Sequence, residues 1–202
     1  MANEPDTGLL AAEARRMIEM HNGEWDSLHA FATLHWDGEK LTVGTWCAID
    51  TGFAAQDYSG VMQRAAFSRL REEPEDPPYA YALQIEAHVS SLPKAAGPTE
   101  RAAMAASVRA RKLHQRPDAR EAAEAWVADI HGRLWSARRF RGSDAIEERY
   151  TPASGQDPGP AVFTAPLLTV ARMTGLLAWG LEATPEEEQI FSAITGKGNA
   201  GA

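Results

Sequence analysis

A single cysteine, Cys47, occurs in 202 residues. No intramolecular disulfide can form, so the fold is expected to rest on a hydrophobic core in a reducing, cytoplasmic setting. Cys47 is then expected to be a small apolar member of that core. Uninterrupted apolar runs of about 18 residues, long enough to cross a bilayer, are missing as well. The most apolar segment, Ala161 to Gly180, contains Pro166 and Arg172 and reads as a buried helix. No basic N-terminus leads into an apolar stretch, which argues against a secretory signal. Lysine is scarce, supplying four of the twenty basic residues beside abundant alanine, glycine and proline. That is the habit of a high-GC genome and suggests a bacterial or phage source.

Several signatures of chemistry are also missing. The chain has no GxxxxGK[ST] phosphate loop, no GxGxxG after a strand, no GxSxG elbow, no HExxH and no paired cysteines. A net charge of −8 disfavours nonspecific attraction to nucleic acid or anionic lipid. No cofactor is implied.

What is present is a patterned chain with enough apolar residues, 44%, to build one core. Leu10, Ala14, Met17 and Ile18 recur at helical spacing before Asn22-Gly23. Leu28 to Asp50 alternates with period two about an Asp37-Gly38 turn, predicting a hairpin. In its first strand Ala30, Ala32, Leu34 and Trp36 oppose His29, Phe31, Thr33 and His35. In its second, Leu41, Val43, Thr45, Cys47 and Ile49 oppose Thr42, Gly44, Trp46, Ala48 and Asp50. A helix is expected from Ser59 to about Glu73, ended by the proline-rich stretch that follows. Tyr79 to Ser90 reads as a third strand, with Tyr81, Leu83, Ile85, Ala87 and Val89 facing away from Gln84, Glu86, His88 and Ser90.

Two helices are expected next, Thr99 to about His114 and Asp118 to about His131, with His114 and His131 complementing their C-termini. A second hairpin turns near Gly142. The apolar helix follows a Gly/Pro-rich loop, and Thr184, Pro185 and Glu187 carry a capping box that opens a last helix. These elements imply an α+β fold: one domain over residues 1–196, with a mixed or antiparallel sheet of about five strands. Helices are expected on one face, including a C-terminal pair, and residues 197–202 form a disordered tail.

Histidines and carboxylates concentrate where the strands lie. If the aliphatic sheet face meets the helices, the other face presents His35, Gln84, Glu86 and His88, together with Trp46. Phe31 completes the candidate binding surface. Two imidazoles and a carboxylate are also the ingredients of a metal or proton-transfer site, so a small hydrolase or metal-dependent enzyme using His35, Glu86 and His88 is the main alternative. The loop residues His21, Glu24, Asp26 and His29 offer a weaker set without metal-site spacing. Arg133, Arg138, Arg139 and Arg141 alternate with aromatics and define a second alternative, a nucleic-acid patch. Pairing with Glu147 and Glu148 across the hairpin would neutralise them instead.

No catalytic or metal-ligating residue stands out against these structural readings. The expectation is therefore a non-catalytic binding or regulatory accessory protein that forms a homodimer or binds a protein partner through the histidine-bearing sheet face.

Overall fold

The computed structural model describes residues 4–21, 25–26, 29–49, 51–90, 92–93, 95–110, 112–153, 161–185 and 187–188. The final residues assigned to a tail lie outside them. In chain order the elements are α1 (Thr7–Met20), β1 (His29–Trp36), β2 (Leu41–Ile49), α2 (Thr51–Glu72), β3 (Ala80–Val89) and α3 (Pro98–Arg109). A 3₁₀ turn (Leu113–Gln115), β4 (Arg120–Asp129), β5 (Leu134–Phe140), β6 (Ile146–Thr151) and α4 (Ala161–Ala178) follow. All strand pairs are antiparallel, in the spatial order β2-β1-β3-β4-β5-β6. The α+β class with one sheet is as the sequence implies, with six strands.

Helices cover both faces, not one. α1 packs on β4, β5 and β6, whereas α2 and α4 pack together on the opposite side, over β1 to β4. Each face therefore has its own apolar layer. Leu10, Met17, Ile18, Leu34, Val127 and Trp135 meet beneath α1, while Phe31, Tyr81, Leu83, Ile85, Trp126 and Leu167 meet beneath α2 and α4. The buried Tyr81 hydroxyl is 2.7 Å from Thr174 Oγ1, so its one polar atom is satisfied.

The segment predicted as a helix from Asp118 to His131 is instead mostly β4, the central strand pairing with both β3 and β5. Its alanines and glutamates favour a helix locally. Tertiary context overrides this: Ala122 to Ile130 are all buried, and small side chains on alternating faces leave room for α1 on one side and α4 on the other. His131 consequently lies in the β4–β5 turn, not at a helix end. α2 begins eight residues before the predicted Ser59 start.

One irregularity decides where the β2 side chains point. Ala32 pairs with Trp46 but Leu34 pairs with Val43, so β2 carries one extra residue opposite Thr33. This β-bulge breaks the simple alternation expected for β2. Trp46 joins Leu41 and Val43 on the α1 side, whereas Cys47 and Ile49 turn to the α2–α4 side. Thr33 Oγ1 accepts a 3.0 Å bond from Thr45 N and lies 3.0 Å from His35 Nε2. A Cβ on Gly44 would sit 2.6 Å from each of those two side-chain atoms, so any other residue must displace them.

At the other end of the fold, Thr184 N donates to Glu187 Oε2 at 2.8 Å and Glu187 N donates to Thr184 Oγ1 at 3.2 Å, the reciprocal capping box anticipated from sequence. Arg172 of α4 holds the same carboxylate with two bonds of 2.7 and 2.8 Å and reaches Ile130 O at 3.0 Å. It thereby ties the C-terminal segment to the β4–β5 turn.

Two predictions follow from this geometry. Gly44→Ala should lower the urea midpoint by the equivalent of about 1–3 kcal/mol, the usual cost of overpacking; an unchanged midpoint would mean that the bulge has room. The second concerns pH. The Arg172 guanidinium holds the Glu187 carboxyl at about 2, below its ordinary 4.5. Its stabilisation is therefore present above about 4.5 and lost as pH falls toward 2. Glu187→Gln should flatten that part of the stability–pH curve, measured as denaturant midpoints across the acid range.

Candidate functional site

The strongest concentration of polar side chains lies on the α1 side, where β3, β4 and β5 meet the connection from α1 to β1. His21 follows the last turn of α1, and its N–H bonds to Met17 O at 3.1 Å. Its side chain is 1% exposed. His21 Nε2 lies 2.8 Å from Glu86 Oε1, and Asp26 N donates to Glu86 Oε2 at 2.7 Å. Glu86 therefore spends both oxygens on His21 and Asp26. On the other edge of the ring, Arg139 Nη2 is 3.5 Å from His21 Nδ1. A guanidinium can only donate, so Nδ1 accepts and Nε2–H is left to donate to Glu86.

Trp25 packs edge-on to His21 at 5.1 Å, and the Arg141 guanidinium lies 5.3 Å from the Trp25 ring. Arg141 Nη1 also donates to Glu121 Oε2 at 2.6 Å. One carboxylate oxygen from each of Asp26, Glu86 and Glu121 lies within 4.8 Å of the others. Three carboxylates and two guanidiniums thus share a small area. Burial lowers the His29 pKa, opposed by its bond to the Glu86 backbone and by the Glu86 charge.

The six residues of the sequence-derived binding surface divide between the two faces. Phe31 and His35 lie on the α2–α4 side, and both are buried. Gln84, Glu86 and His88 lie on the α1 side, joined there by Trp46 because of the bulge. His35 therefore does not converge with Glu86 and His88, which removes the geometric basis for a shared metal or proton-transfer site among those three. Its Nδ1 instead lies 3.1 Å from Asp76 Oδ2, without hydrogen-bond alignment. From the weaker loop set, His21 and Asp26 meet the Glu86 carboxylate and His29 bonds the Glu86 backbone.

The arginine patch is largely neutralised by its own neighbours. Arg133 Nε bonds Asp129 Oδ2 at 2.6 Å and its Nη2 reaches Tyr79 Oη at 3.0 Å. Arg138 pairs with Glu124, and Arg141 pairs with Glu121. These partners lie on β4, not across the hairpin on β6 as expected. Glu148 of β6 pairs with Arg15 of α1 at 2.6 Å. Burial raises the Glu124 carboxyl pKa, and Arg138 opposes the rise. Reading β4 as a helix hid this: only a strand places Glu121 and Glu124 beside the β5 arginines.

Away from this cluster, a cleft of about 400 Å³ is lined by His131, Gly132, Ala153, Leu168, Arg172, Thr184 and Glu187. Arg172 and Glu187 are already paired within it. No helix among the described residues is long and apolar enough to cross a membrane. No family model matches the chain, and no curated protein or solved structure is significantly similar to it.

The geometry of Glu86 makes it a tether for the α1–β1 connection. Either His21→Ala or Glu86→Gln should cost about 1.5–3 kcal/mol, the range for a hydrogen bond to a charged group. The double variant should cost less than the sum of the two, because each single change already breaks the pair. Strictly additive denaturation energies would show that the two side chains are not coupled.

Proposed function

We propose that this is a non-catalytic binding or regulatory accessory protein that self-associates through the β2 end of its sheet. The observation that carries this reading is the contrast between the two outer strands. β2 runs nine residues, Leu41–Ile49, without one charged side chain, and Trp46 at its centre is 42% exposed. β6, the opposite outer strand, carries Glu147, Glu148 and Arg149. Charge on an outer strand blocks pairing with another chain, and an uncharged strand with open backbone donors and acceptors invites it.

A second copy is the occupant that best suits β2. Antiparallel pairing of β2 with itself is isologous and closes at two chains, whereas β2 against β6 is heterologous and builds a ring or a filament. The bulge selects the register. With bulge opposite bulge, Val43 faces Trp46 of the second copy and Leu41 faces its Ala48, so α1-side residues meet α1-side residues throughout. Each Trp46 then covers a β-branched neighbour, a favourable cross-strand pair. A lone free thiol in β2 suits the cytoplasm, where no disulfide would form between copies.

The expected result is a dimer at micromolar concentration by light scattering and sedimentation. Trp46→Lys should give a monomer of unchanged circular dichroism, and Tyr150→Lys on β6 should leave the dimer intact. A wild-type chain that stays monomeric, or a Trp46→Lys chain that stays dimeric, would overturn the proposal.

A further inference from the structure

At the end of β3, beside the carboxylate cluster, two imidazoles from distant parts of the chain meet. His88 faces the α1 side and stands directly opposite Glu121 in the β3–β4 ladder. Residues so opposed hold their Cβ atoms roughly 4.5–5.5 Å apart. His114 belongs to the 3₁₀ turn that packs on β3. Its ring lies edge-on to His88, with centroids 5.8 Å apart and planes at 65°. Both histidines are exposed, and among the described residues neither ring makes a hydrogen bond.

The neighbouring ion pairs explain themselves, but this pair does not. Two exposed imidazoles gain little from edge contact and repel each other when protonated. They become useful together when a shared ligand accepts a lone pair from each.

We propose that His88, His114 and Glu121 bind one borderline divalent transition-metal ion of the zinc class. Two imidazoles with one carboxylate form a ligand set that such ions favour over magnesium or calcium. Metal–nitrogen bonds of about 2.0–2.1 Å bring the two ring nitrogens to roughly 3.3 Å of each other. The three ligands do not yet share one shell: among the described residues, only the oxygens of Asp26, Glu86 and Glu121 lie within 4.8 Å of one another. Closing the set requires the two exposed rings to turn between staggered rotamers. Arg141 already fixes Glu121 through Oε2, which leaves Oε1 for the ion and orients it, as outer-shell donors do in metal sites. The Asp26 and Glu86 carboxylates offset the Arg139 and Arg141 guanidiniums of the same cluster. This inference stands apart from the self-association at β2, which uses a different edge of the sheet.

The test uses the intact chain without a histidine tag, stripped with chelator and titrated with zinc by calorimetry. Imidazole nitrogen NMR of the wild type is followed in parallel. One zinc per chain is expected, with the His88 and His114 ring signals shifting together. His88→Ala and His114→Ala should each weaken uptake about tenfold or more. His131→Ala, at the opposite end of β4, should not. Excess magnesium should fail to compete. The proposal is overturned if zinc uptake does not saturate in the micromolar range, or if both variants bind like wild type. It is equally overturned if magnesium displaces the zinc, since that would assign the ion to the three carboxylates alone.

Discussion

The burial of β4 on both of its faces is the constraint on which the rest of the structure depends. A strand covered from two sides must keep its side chains small where helices approach and must answer every charge it carries. Ala122, Ala123, Ala125 and Ala128 meet the first demand and are fully buried. Larger apolar groups are admitted only where a partner leaves a gap, as where Trp126 stacks on Phe163 at 5.7 Å. The price of placing glutamates and an aspartate on such a strand is met by the arginines of the next one.

That second demand explains why β5 and its flanking turns are so rich in arginine. Glu124 and Asp129 are buried, and each is matched by an arginine that reaches it across the ladder or around the turn. Removing one partner from such a pair leaves a desolvated charge, which is far worse than never having had the pair. Arg133 and Arg138 are therefore committed to buried carboxylates, and the arginine patch keeps fewer free cations for an outside ligand. Asp129 shows the same economy at the backbone, where one of its oxygens accepts from the N–H groups of both His131 and Arg133. The β4–β5 turn is closed by that carboxylate.

Periodicity made much of this legible and composition misled at one place. The alternation in Tyr81 to Val89 assigned the two faces of β3 correctly, because a half-buried strand must segregate its side chains. The Asp37-Gly38 turn, the apolar helix and the Thr184–Glu187 cap were visible for similarly local reasons. β4 was not, since an alanine- and glutamate-rich stretch has a helix's intrinsic preference and only its two covering layers reverse it. The candidate site suffered from the same omission. Glu86 was identifiable as a polar residue on a strand face, but its company of His21, Asp26, Glu121 and Arg141 depends on strand order and on the path of a connection. His35 was placed with the wrong neighbours because sequence alternation says which residues share a face within a strand, and not how faces match between strands.

The bulge opposite Thr33 also sets how the chain can change length. In any other part of β2, removing one residue would turn every side chain beyond it to the opposite layer, taking Trp46 or Ile49 away from its present neighbours. At Gly44 and Thr45 the extra residue is already out of step. Its loss would restore a plain ladder with Leu41, Val43 and Trp46 still on their own side. The strand thus contains a single joint at which a one-residue deletion preserves the sorting of its side chains, bounded on both sides by stretches that tolerate none.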